Sequence, residues 1–110
     1  MPTSHPLQGR PDAAQLRKAA GKYLKKLRED AGLTQQEASA KLGLKYYTLI
    51  SQVEIGKTGF PQERLKAYAK LLGVDRKQFG VKMMEFYAPD LWDLQYGPED
   101  SPEDEGTSST

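Results

Sequence analysis

The chain of 110 residues contains no cysteine and a single histidine. Without cysteine, neither a disulfide framework nor a thiolate metal site is available. His5 lies in a Pro/Ser/Gly-rich start with no neighbouring ligand and reads as a solvated tail residue. No apolar run approaches the length of a membrane span or a signal-peptide core. A glycine-rich phosphate loop and a metal-spaced ligand cluster are also missing. The carboxylates are scattered among helix caps, charged faces and the C-terminal end. These absences argue against an enzyme, imply no cofactor and no metal, and favour a soluble cytoplasmic protein without a membrane partner.

The formal net charge of +1 hides an asymmetry. Residues 97–110 hold Glu99, Asp100, Glu103, Asp104 and Glu105 and no base, whereas residues 16–96 carry 15 bases against 9 acids, a net +6. A basic domain suits a polyanion, because neutralising phosphates releases condensed counterions. Charge of this size is equally compatible with ordinary solubility. The sequence divides into a tail over 1–11, a domain over 12–96 and an acidic tail over 97–110. Both tails have the composition of disordered chain. The acidic tail either simply solvates, competes with nucleic acid for the basic face, or contacts a protein partner.

The organising stretch is 34–57, TQQEASAKLGLKYYTLISQVEIGK. Thr34 is an N-cap residue and Glu37, three residues on, completes a capping box. Gly43 stops that helix, expected over 35–42. A second apolar-periodic run follows, with Tyr46, Leu49, Ile50 and Val53 on one face, predicting a helix over about 45–55. Two short helices joined by a Gly-containing turn have the outline of a helix-turn-helix. Ala38 and Ser39 permit a close crossing, with Ser39 bonding locally and Tyr46 filling the space beside Ala38. Glu54 is read as structural, since an acid in a groove-facing position would repel phosphate.

Upstream, Asp12 caps a helix to about Ala31, with Leu16, Ala20, Tyr23, Leu24 and Leu27 on one stripe. Lys18, Lys22, Lys25 and Lys26 fall off it and read first as a solvated face. Downstream, Pro61 suits the first residue of a fourth helix with Leu65, Tyr68, Ala69 and Leu72 inward. Asp75 caps a fifth, over 76–87. Pro89 breaks it, and Asp90 caps a short turn. Met83, Met84, Phe86, Tyr87, Leu91 and Trp92 make a dense apolar segment. It serves either to close the monomer core or to form a dimer surface.

These residues carry a resemblance. Thr34-Gln35, Leu42-Gly43, Ile50-Ser51-x-Val53-Glu54-x-Gly56-Lys57 and the flanking Leu27-Arg28-Glu29 and Leu72-Gly73-Val74 are similar to the phage repressor/Cro (Xre) family over roughly residues 17–79. The resemblance implies an all-α, five-helix repressor-like domain with a short C-terminal aromatic extension over about 75–96. It also implies a sequence-specific, double-stranded DNA-binding transcriptional regulator, acting as a homodimer in the bacterial or phage cytoplasm at the nucleoid. The alternative is an antitoxin-like or adaptor protein acting through its aromatic C-terminal segment.

On the same resemblance, Gln35, Thr34 and Lys57 are the phosphate candidates, Gln35 helped by helix-start amides. Thr48, Ser51 and Gln52 are the leading base readers, since glutamine can bond adenine bidentately and hydroxyls serve several base edges. Lys45 and Tyr47 come next. The chain departs from the family pattern in two places. One extra residue stands around Lys45 to Tyr47, and Ile55 precedes Gly56 where asparagine is usual. Either Gly56 takes over the helix stop or Ile55 makes an apolar contact.

Overall fold

A computed structural model describes residues 12–98; His5, the rest of the N-terminal tail and the acidic run from Glu99 onward lie outside the described residues. Within them the chain is all-α. The helices are α1 (Ala13–Asp30), α2 (Gln35–Lys41), α3 (Thr48–Glu54), α4 (Gln62–Leu72), α5 (Arg76–Tyr87) and α6 (Pro89–Tyr96). Their starts follow local chemistry. The Gln15 amide donates to Asp12 Oδ1 at 2.8 Å while Gln15 Oε1 accepts from the Asp12 amide at 2.9 Å. Thr34 and Glu37 make the same reciprocal pair at α2, at 3.0 and 2.8 Å. Both capping boxes satisfy donors that helix starts leave orphaned.

Six helices replace the expected five and a turn. Pro89 stands at the first position of α6, where its missing amide hydrogen costs no hydrogen bond. Ala88, with φ −142°, occupies the cap position expected for Asp90. Pro61 likewise lies one place earlier than expected, as the extended residue before Gln62 opens α4.

The core draws on every helix but the last: Leu24, Ala38, Ile50, Val53, Tyr68, Ala69, Leu72, Phe79 and Met83, with Phe60 from the loop before α4. Phe60 stacks on Tyr68 with ring centroids 4.8 Å apart. Each large apolar side chain buried here stabilises the fold by about 1.5–3 kcal/mol relative to exposure. Two expectations are corrected. Tyr46 is 66% exposed and does not fill the space beside Ala38. Ser39 Oγ is buried without a hydrogen-bond partner among the described residues, instead of bonding locally.

Part of the C-terminal segment closes the monomer core. Met83 is buried in the core, and Phe86 and Tyr87 pack against it. Phe86 meets the α1 residue Tyr23 at 5.7 Å between centroids. Met84 and Trp92 are half-buried, whereas Leu91, Leu94 and Tyr96 stay exposed. No described helix is long and apolar enough to cross a membrane.

Candidate nucleic-acid interface

The position of α3 is set from behind. A β-carbon at Gly21 would run into the carbonyl oxygens of Val53 and Glu54, so glycine lets α1 cross the end of α3 at backbone distance. The end of α3 is closed by a Schellman motif: the Gly56 amide donates to the Val53 carbonyl at 3.0 Å and the Lys57 amide to that of Gln52 at 2.9 Å. Gly56 has φ +83° and rests against Lys18 of α1. Arg17 Nε donates to the Gly56 carbonyl at 3.3 Å. Gly56 therefore takes over the helix stop, and Ile55, at φ −89°, needs no left-handed conformation.

A buried ion pair ties the remaining pieces. Arg28 Nε and Nη2 donate to Glu54 Oε2 and Oε1 at 2.7 and 3.0 Å. Arg28 Nη1 also donates to the Leu33 carbonyl at 2.6 Å, reaching the link before α2. Gln35 Nε2 donates to Glu54 Oε1 at 2.9 Å. The hydrogen bonds to Glu54, reinforced by the carboxylate's charge, hold the Arg28 guanidinium above its ordinary pKa despite burial. Glu54 is thus part of the frame that fixes α2 and α3 relative to α1.

The outward side of α3 is left to polar residues. Thr48, Ser51 and Gln52 lie at helical spacings of three and four, hence on one face. Thr48 is exposed, and Ser51 and Gln52 are half-buried. Ile55, 64% exposed, continues the same row at the C-terminal end. Thr34, Gln35 and Tyr47 line one shallow depression together with Gln36, which the sequence reading did not single out. Lys57 is exposed beyond the far end of α3, apart from that group.

The start of the helix expected over about 45–55 is corrected. α3 begins at Thr48, so Lys45, Tyr46 and Tyr47 belong to the turn. The extra residue is absorbed before the helix, and the positions from Thr48 onward keep their face. Tyr46, assigned inward by its spacing, projects to solvent with Lys45 Nζ 5.5 Å from its ring centroid. The signal available for it was the lengthened turn, since periodicity has no meaning outside a helix.

Two short helices across a tight turn, the second locked on its inner side and polar on its outer side, define a helix-turn-helix. A family profile described as helix-turn-helix matches residues 24–79, half of the chain. The chain belongs to this family, the Cro/C1-type, Xre-like helix-turn-helix proteins. No curated protein matches it. Membership makes it a DNA-binding transcription regulator whose partner is double-stranded DNA, in a family that is not typically enzymatic.

Proposed function

We propose that the protein recognises specific operator sequences as a homodimer, each copy placing α3 in the major groove of one half-site. The observation that carries this reading is the row Thr48, Ser51 and Gln52 on the outward face of a helix whose inner side is held against α1 at Gly21, Arg28 and Gly56. A groove about 12 Å wide admits one helix, and discrimination then rests on the few side chains that reach base edges. Gln52 offers a donor and an acceptor for adenine, and Thr48 and Ser51 offer hydroxyls. Tyr47 and Lys45 approach from the turn.

Gln35, Thr34 and Lys57 contact phosphates on either side of α3 and set its register. Gln35 has one amide hydrogen bond committed to Glu54, which orients its side chain beforehand. Lys57 supplies the charge. The interaction-module alternative rests on exposed Leu91, Leu94 and Tyr96 alone; these serve self-association equally well and leave the polar face of α3 without a use.

Selection of binding sites from a random duplex library tests the proposal. The expected product is a palindromic site whose half-sites lie about 34–36 Å apart, one helical turn. Failure to enrich any sequence over random DNA would overturn sequence-specific regulation.

A further inference from the structure

One groove of the molecule continues past residue 79, where the family match ends. It is bordered by α4, α5 and α6 and has a volume of about 380 Å³. That lies near the lower end of the range of small-molecule sites. Its lining is apolar over Leu65, Met83, Met84 and Leu91. A β-carbon at Gly80, in the same lining, would meet nothing within 4 Å, so space remains open along α5. The only charged residues lining the groove are Lys66 and Arg76. Both are exposed, and neither forms an ion pair among the described residues.

An occupant has to meet both features. A small polar anion would leave the apolar lining in water, and a plain hydrocarbon would leave the two cations unused. The chain's own residues 99–110, EDSPEDEGTSST, supply negative charge but no large apolar side chain to cover that lining. A molecule with a flexible apolar chain and one anionic end meets both. Burial of the chain supplies the affinity, and the charged end fixes its direction in the groove. Met83 and Met84 are unbranched and can adjust their rotamers around such a chain.

We propose that this groove binds a medium-chain fatty acid, with the acyl chain along Leu65, Met83, Met84 and Leu91 and the carboxylate at Lys66 and Arg76. The small volume sets the chain length, and two cations with no acid in the lining select a carboxylate over an alcohol or an amine. The site lies apart from the outward face of α3, and the inference does not rest on DNA recognition by that face.

Titration of the full chain with decanoate, octanoate and decan-1-ol, without DNA, tests the site through the methyl NMR signals of Met83 and Met84. Two variants accompany it: Gly80→Leu, which fills the open space, and Lys66→Gln with Arg76→Gln, which removes the charge. All three positions are exposed, and leucine is a better helix former than glycine. Circular dichroism melts verify that both variants are folded. Decanoate should shift both signals at saturable concentrations. Octanoate should bind more weakly by about four-fold for each methylene removed. Decan-1-ol should bind about five-fold or more weakly than decanoate, a preference lost in the charge variant, and Gly80→Leu should bind neither. Signals that stay in place up to millimolar decanoate would overturn the site. Equal affinity for decanoate and decan-1-ol in the wild type would overturn the carboxylate. Signals that move with protein concentration alone, or on removal of residues 99–110, would give the groove to a second copy or to the chain's own tail and overturn the fatty acid.

Discussion

Arg28 of α1 and Glu54 of α3, 26 residues apart in sequence, form a bidentate ion pair in which both side chains are almost fully buried. The carboxylate also accepts from Gln35 of α2, so one acidic group joins three helices. Burying two charges is costly, and good geometry with additional hydrogen bonds is what offsets it. These bonds tie α3 to α2 and to α1.

Removing one partner should therefore be far worse than removing both. Glu54→Ala leaves a guanidinium buried and unpaired, and we expect a loss of about 3–5 kcal/mol in urea unfolding. Arg28→Met with Glu54→Leu should recover a large part of that loss. A single-variant cost below about 1 kcal/mol, the scale of a surface pair, would contradict the structural role assigned to the pair.

Gly21→Ala should destabilise the protein although alanine is the better helix former. Propensity alone favours alanine by about 1 kcal/mol. The added methyl meets the Val53 and Glu54 carbonyls, which are backbone and cannot move aside without shifting α3. Overpacking of this kind costs about 1–3 kcal/mol net, and DNA affinity should fall with it. A variant that melts higher than wild type would show that the two helices separate readily.

Tyr68 carries a pH prediction. Its hydroxyl is buried without a hydrogen-bond partner among the described residues, and burial, with the nearby Glu54 carboxylate, raises its pKa to about 12. The unfolded chain ionises this phenol near pH 10. Stability from Tyr68 is thus fully present below pH 10 and is lost as pH rises through about 12, at a limiting slope of about 1.4 kcal/mol per pH unit. Tyr68→Phe keeps the stack on Phe60 and removes the orphan hydroxyl. It should be neutral or stabilising by about 1 kcal/mol at pH 7 and should flatten the alkaline limb. Identical limbs in the two proteins would refute this origin.

Lys57→Ala should weaken binding to selected and random duplexes alike and reduce the salt slope by about one. This is the behaviour of a phosphate contact that positions without reading. A loss confined to the selected site, measured by fluorescence anisotropy across salt concentrations, would move Lys57 among the base-reading residues.

The scaffold was legible where the chemistry is local. Thr34 with Glu37, Asp12 and the glycine after each of the first four helices announce starts and stops within a few residues, whereas the part of Gln15 in the first cap was not read. Periodicity found Leu24, Ile50, Val53 and Tyr68 because each helix buries one stripe. It misplaced Tyr46 because the same spacing can be extended backward past Thr48, where the chain is no longer helical. The Arg28–Glu54 pair was half legible: Glu54 read as structural, but its partner lies too far along the chain to be inferred from spacing. Gly21 gave no signal, since its reason is a neighbouring backbone that only the packed fold supplies. The candidate base readers from Thr48 onward were legible as a face, because the extra residue is taken up in the turn before them.

The central claim is that the outward face of α3 reads bases, and affinity of Gln52→Ala for a selected site and for random duplex, at one salt concentration, tests it most directly. The predicted result is a loss of about 1–3 kcal/mol on the selected site with random binding unchanged, the scale of one good base contact. Equal losses on both DNAs would contradict base reading by Gln52 and reduce its part to positioning.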